Sequence, residues 1–192
     1  MGKLRNFLYL ALTLLKGGKE MFYKTNYMSP LGNLEILCDD SSVKGIWFDQ
    51  QKYYGSHYNL EEISLSENQV TKEVKIWLDS YFKGEKPSLS HLNLAPDVTE
   101  YRKKVLDVLI AIPLGKTMTY KEIAEVLQKK YPNTKTSPRA VGGAVGHNPI
   151  SILIPCHRVI GSSGLLTGYA GGINRKIELL VIEGFSKNSL KQ

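Results

Sequence analysis

The segment Ile154-Pro155-Cys156-His157-Arg158-Val159 sets a cysteine after a rigid proline and before a histidine and an arginine, at the end of an apolar run. The thiolate is the nucleophilic form of cysteine, and a neighbouring cation or imidazole can lower a cysteine pKa from ~8.5 into the ~3.5 to 7.5 range. His157 and Arg158 supply both possibilities, so Cys156 is a candidate nucleophile. The bland alternative is a buried structural cysteine at the end of a core strand. Glu183 is the second unusual residue. It falls at the C-terminal end of an apolar helical run, where a carboxylate opposes the helix dipole by ~0.3 to 1 kcal/mol. An acid in so poor a place either serves a partner or lies solvated at a frayed end. A thiol hydrolase built on Cys156 and His157 fits less well, because such pairs usually come from separate segments.

The elements that must hold these groups lie mostly in the second half of the chain, which reads as helical. Residues 99 to 112 place Tyr101, Val105, Val108, Leu109 and Ile112 near one face, and Pro113-Leu114-Gly115 stops that helix. Thr119-Tyr120-Lys121-Glu122 is a capping box, with Thr119 and Glu122 serving each other's backbone donors at the start of a helix to about Lys130. Ser137-Pro138 opens the next helix, serine as N-cap and proline at the first helical position. Two short helices joined by a turn in a basic context read as helix-turn-helix. The second of them, Arg139-Ala140-Val141-Gly142-Gly143-Ala144-Val145-Gly146, is nearly all small, although each glycine costs ~1 kcal/mol relative to alanine. Either it packs tightly against the Cys156 segment, or its bare surface sits flush in a nucleic-acid groove with Arg139 as the one long side chain. Glycine-rich loops follow at 161–164 and 167–172, then a buried helix from Ile173 to Glu183 capped by Gly184.

The first half differs in pattern. Short β-branched and aromatic runs from Met21 to Gln50, broken at 29–33 and 39–42, predict an antiparallel meander. Ser66 is the expected cap of a helix over 67–82, with Val70, Val74, Trp77, Leu78 and Tyr81 on one face. The chain thus divides into a small α+β domain over 21–92, a linker near 88–96, a second domain over 97–185 and a tail over 186–192. Lys3 and Arg5 ahead of the apolar run 7–15 imitate a signal peptide, but the run is too short to span a bilayer and no small-residue cleavage site follows. Met21 is the expected start of translation, with residues 1–20 an extension.

Charge and cysteine content narrow the function. Of 25 basic and 18 acidic residues, positions 1–96 hold 11 of each and positions 97–192 hold 14 basic against 7 acidic, so the whole net charge of +7 sits in the second half. Such asymmetry points to an anionic partner, nucleic acid foremost, with a lysine-rich solvated surface as the alternative. Two distant cysteines and four histidines make neither a disulfide framework nor a spaced zinc motif. A reducing, cytoplasmic compartment is expected.

Arg139-Ala140-Val141-Gly142-Gly143-Ala144, Asn148-Pro149, residues 152–159, Gly161-Ser162-Ser163-Gly164 and Gly168-Tyr169-Ala170-Gly171-Gly172 together resemble the O6-alkylguanine-DNA alkyltransferases, also called methylated-DNA-protein-cysteine methyltransferases. The likeness is dense over 97–185, and the first domain looks like the family's ribonuclease-H-like domain in outline. The resemblance implies an α+β fold, with a small ribonuclease-H-like N-terminal domain and a mainly helical C-terminal domain carrying a winged-helix-like helix-turn-helix. It implies repair of duplex DNA by stoichiometric, irreversible transfer of the alkyl group of O6-alkylguanine, with O4-alkylthymine a further candidate, to Cys156. No cofactor, metal or membrane is involved, and the protein acts as a monomer, alone or cooperatively on DNA. By the same resemblance Glu183 polarises His157, which deprotonates Cys156 through a water. Tyr120 crowds the target phosphate and donates a proton to the leaving purine, while Arg139 fills the gap left by the flipped base. Ala140 and Gly142 belong to the DNA-facing helix, and Ser162 contacts a phosphate. Asn148 is a hinge, Val159 and Tyr169 are pocket walls, and Lys176 lies beside the pocket. Some relatives have serine where this chain has Ala170, which removes one hydrogen bond to the base or leaves it to backbone amides. The remaining alternative is a helix-turn-helix module that binds lesions without chemistry.

Overall fold

A computed structural model describes residues 21–191; the expected extension, residues 1–20, lies outside the described residues. Three strands, β1 (Tyr23–Ser29), β2 (Gly32–Cys38) and β3 (Val43–Phe48), form the antiparallel meander in the order β1-β2-β3. The β1–β2 register pairs Tyr23 with Cys38 and Ser29 with Gly32, and Ser29 Oγ closes the turn by donating to the Gly32 carbonyl at 2.6 Å. Helix α1 (Gln69–Phe82) buries Val74, Trp77, Leu78 and Tyr81 along one face. Its cap is Asn68 rather than Ser66: the Asn68 side chain accepts from the Thr71 N–H, and the Thr71 hydroxyl accepts from the Asn68 N–H. Asparagine is as good a cap as serine, and the Ser66 N–H is committed to the Lys24 carbonyl at 2.8 Å.

The linker is held rather than loose, since the Val43 N–H donates to the Asn93 carbonyl and the Ala95 N–H to the Val43 carbonyl. Beyond it, α2 (Glu100–Ile110) is capped by Thr99, the pair β4 (Met118–Thr119) leads into α3 (Tyr120–Lys130), and α4 (Pro138–Gly146) follows. The Thr119–Glu122 capping box and the Ser137 cap with proline in the first turn stand as expected from sequence. Val105 and Leu109 of α2, Ile123 and Leu127 of α3, and Val141 and Ala144 of α4 bury against one another, which makes the helix-turn-helix. Strand β5 (Val159–Ile160) pairs in parallel with β4, and α5 (Ile173–Ile182) ends the domain. At its end Gly184, at φ +97°, donates to the Val181 carbonyl while the Phe185 N–H returns to Leu180, the paired bonds of a left-handed C-cap. The tail makes a short turn at Lys187–Ser189, and the Lys191 carbonyl accepts from the Leu166 N–H.

One apolar core runs through both halves, joining Leu34, Ile36, Ile46 and Phe48 of the sheet to Ile150, Leu153 and Cys156. Each such buried aliphatic side chain contributes ~1.5 to 3 kcal/mol. The edge of β3 extends this contact: the Ile46 N–H donates to the Pro149 carbonyl at 2.8 Å, and the Ile46 carbonyl accepts from Ser151 at 2.9 Å. The sheet therefore fastens the segment that leads to Cys156.

Candidate active site and nucleic-acid interface

Cys156 does not close a strand. Residues 151–154 turn, and Cys156–Arg158 form a single 3-10 turn that ends in β5. Ile152 takes φ +70° while buried, an unfavourable conformation for a β-branched residue that costs of order 1–3 kcal/mol and that packing on the sheet must sustain. Asn148, also buried, ties the segment together: its Oδ1 accepts from the Ile150 N–H at 3.0 Å, and its Nδ2 reaches the Ile154 carbonyl at 2.8 Å and Cys156 Sγ at 3.0 Å. The thiol is thereby given a fixed direction.

Successive positions on the 3-10 turn point His157 and Arg158 to the same acid. His157 Nε2 lies 2.7 Å from Glu183 Oε1, Arg158 Nε donates to Glu183 Oε2 at 2.8 Å, and Arg158 Nη2 donates to Oε1 at 2.9 Å. A fourth donor, the Tyr81 hydroxyl of α1, reaches Glu183 Oε1 at 2.9 Å. The misplaced acid of α5 thus has three partners, of which the sequence suggested one. Arg158 is not a cation beside the thiol; its guanidinium is turned to Glu183 and to the Ile112 carbonyl.

Burial alone would push the Glu183 carboxyl up, but the His157 and Arg158 hydrogen bonds and the Arg158 charge outweigh it and hold the carboxyl below its usual range. Burial lowers the His157 pKa against the pull of Glu183, and the Arg158 and Lys176 charges reinforce the drop, so the ring is neutral. With Nε2–H committed to a carboxylate, the free lone pair of that neutral ring is on Nδ1, which is buried and without a protein partner. Burial raises the Cys156 pKa, opposed by the Asn148 hydrogen bond and the Lys176 charge. The resting group is therefore a thiol, and the expected thiolate-stabilising pair of His157 and Arg158 is replaced by Asn148 and Lys176.

Lys176 is buried on α5, donating to the Val159 carbonyl at 2.5 Å and the Thr167 carbonyl at 3.1 Å, and burial lowers its pKa to about 8. Val159 itself lies fully in the core. The Tyr169 ring meets His157 edge-on at 6.5 Å, and burial, then the proximity of Cys156, keeps its hydroxyl protonated. Gly171 permits this packing: a Cβ there would lie 2.7 Å from the Tyr169 ring. The structure thus gathers Cys156, His157, Glu183, Asn148, Lys176, Val159 and Tyr169 in one place.

The remaining candidates lie on the surface. Arg139 and Ala140 are exposed on the first turn of α4, and Ser162 is exposed on the turn closed by Gly164 N–H to Gly161. Tyr120, half-buried at the start of α3, shares a 2.8 Å hydrogen bond with Thr167 and lies under Gly142. The glycines of α4 are not needed for packing. A Cβ on Gly143 or Gly146 would meet nothing within 4 Å, and one on Gly142 only the Tyr120 ring at 3.7 Å. Their smallness leaves an outer surface bare, as the groove reading expects. Among the described residues no group of three or more His, Cys, Asp or Glu could hold a metal, and no helix is long and apolar enough to cross a membrane.

Comparison with known proteins agrees with this layout. Residues 22–96 match the 6-O-methylguanine DNA methyltransferase ribonuclease-like domain, and residues 100–185 match the DNA-binding domain of the same family. The methylated-DNA–protein-cysteine methyltransferase of Haemophilus influenzae is 38% identical over 161 residues, 84% of this chain and 86% of that protein. The Mycobacterium tuberculosis protein of that name is 47% identical over 159 residues, 81% and 88% of the two chains. The crystal structure of Mycobacterium tuberculosis O6-methylguanine methyltransferase superimposes with a TM-score of 0.72 at 37% identity, over 85% of this chain and 93% of that one. The Mycobacterium tuberculosis OGT in complex with DNA gives 0.70 at 34%, over 89% and 95%. With both halves matched in order, the chain belongs to the 6-O-methylguanine DNA methyltransferase family.

Proposed function

We propose that this protein repairs duplex DNA by moving the alkyl group of O6-alkylguanine onto Cys156, once per molecule. His157 Nδ1 takes the thiol proton through a water, and Glu183 stabilises the imidazolium that forms. As the thiolate attacks the saturated carbon, the S–C bond forms while the C–O bond breaks and its electron pair passes to the purine. Tyr120 supplies the proton that the purine takes up, and the proton released by Cys156 balances it. A thioether has no leaving group, so the thiol is not regenerated. Burial of the thiol suits this chemistry, because it keeps Cys156 protonated until a flipped base enters. Arg139 occupies the vacated stack, Ala140 and Gly142 lie against the groove, and Ser162 meets a phosphate. Flipping costs a few kcal/mol and less for a damaged base, which contributes selectivity. The protein acts as a monomer in the cytoplasm.

The observation that carries this reading is the 2.7 Å His157–Glu183 contact, which leaves a buried basic nitrogen on the residue following Cys156. Glu183→Gln tests it. The variant should slow single-turnover transfer by about 100-fold or more, the usual scale of general-base catalysis, while lesion-DNA affinity stays within a few-fold. Equal loss of binding and transfer would leave Glu183 a structural role only.

A further inference from the structure

The loop after β3 is built under backbone constraint. Gln50, Tyr53 and Ser56 take φ of +61°, +60° and +55°, left-handed positions that side-chain-bearing residues adopt at a cost. Three ties hold it in place. Gln51 Oε1 accepts from the Phe48 N–H at 2.9 Å and from Ser151 Oγ at 3.0 Å, beside the segment that carries Cys156. The Lys52 N–H donates to the Ala170 carbonyl at 3.0 Å, on the loop next to Tyr169. The Tyr53 ring stacks on His147 with centroids 3.8 Å apart and planes at 25°, while 55% of Tyr53 remains exposed.

His147 is the C-cap of α4, and its Nδ1 bonds to the Gly143 carbonyl at 2.7 Å. Ala140, Gly143 and His147 follow at spacings of three and four, so they share the bare outer face of that helix. Tyr53 therefore extends this face past its end, and Lys52 carries it on toward the lip at Ala170. A nine-residue helix spans only about 14 Å, so a duplex seated on α4 continues over its C-terminal end. That end carries a partial negative charge that repels phosphate unless a cation stands beside it. Lys52, exposed and next in the chain to the Tyr53 that stacks on the His147 C-cap, is the cation this loop offers there.

We propose that this loop of the first domain is part of the DNA interface, with Lys52 pairing a backbone phosphate beyond the C-terminal end of α4 and Tyr53 packing on the adjoining sugar-phosphate. The inference rests on the reading of α4 as the groove-facing helix. Equilibrium binding of the full chain to undamaged and O6-methylguanine duplexes, measured across a salt series, tests it. Lys52→Ala should weaken both duplexes by the same factor, about three- to tenfold, and reduce the slope of log affinity against log salt by about 0.9, one phosphate contact. Tyr53→Ala should weaken both several-fold with the slope unchanged. Lys83→Ala, an exposed lysine at the end of α1, is the charge-matched control and should leave affinity and slope as they were. A wild-type slope in Lys52→Ala, or an equal drop in Lys83→Ala, would overturn the proposal. Ala140→Asp separates the two readings. Loss of binding in it with none in Lys52→Ala sinks this inference alone, whereas wild-type binding by Ala140→Asp removes the role of α4 and this inference with it.

Discussion

Cys156 and Lys176 form a pair in which each changes what the other can do. The sulfur is buried and its pKa raised, so a thiolate formed there must be stabilised, and the ammonium of Lys176 is the cation whose charge acts on it. Because burial brings the Lys176 pKa to about 8, its charge is complete well below that pH and lost above it. The transfer rate of the wild-type protein should therefore decline as pH rises through about 8. Lys176→Met should be slower at pH 7, by about tenfold for each pKa unit of thiolate stabilisation removed, and should lack the alkaline decline; single-turnover rates from pH 6 to 9.5 check both. Cys156, His157 and Glu183 stood out by type and position, a candidate nucleophile among basic neighbours and an acid where helices disfavour one, and the structure brings them together. Arg158 was read on the wrong partner, since adjacency in sequence does not reveal that a 3-10 turn sends its guanidinium to Glu183. Tyr81 was read as core only, for nothing in an apolar face 102 residues away marks a hydroxyl for the acid.

Among the elements, capping chemistry was legible wherever one residue could serve. Thr119 with Glu122 and Ser137 with Pro138 fixed the starts of α3 and α4, whereas α1 begins three residues after the expected cap Ser66, where Asn68 and Thr71 serve each other's backbone donors. The Cys156 segment read as a strand because its apolar run is continuous, yet burial on every side suits a tight turn as well as a strand. Helix α1 does more than cover the sheet, because Tyr81 in its last turn donates to Glu183. Removing only that hydroxyl should leave the apolar packing intact and a buried carboxylate one donor short. Tyr81→Phe is therefore expected to cost about 1.5 to 3 kcal/mol, the worth of a hydrogen bond to a charged group, and to slow alkyl transfer. A shift of the urea midpoint at unchanged m-value, measured beside the transfer rate, checks this; a variant equal to wild type in both would show the contact to be idle.

For the molecule as a whole, the two domains read from the pattern of elements share one apolar core and are joined by hydrogen bonds. The basic second half carries Lys129, Lys130, Lys135 and Arg139 exposed around the helix-turn-helix, as its charge excess implied. The sequence could not show that Ile46, Gln51 and Tyr81 of the first half hold Pro149, Ser151 and Glu183 of the second, since long-range contacts leave no local pattern. A chain starting at residue 97 should accordingly lose its thermal transition or show it far lower by circular dichroism, and transfer no alkyl group. A stable and active fragment would make the first domain dispensable. The expectations about transfer depend on Cys156 being the alkyl acceptor, which intact-protein mass spectrometry after incubation with an O6-methylguanine duplex measures outright, with Cys156→Ala as control. The expected result is one methyl group per molecule, on Cys156, never more, and none in the control. Binding to the duplex with no change of mass would contradict it and leave a protein that recognises lesions without repairing them.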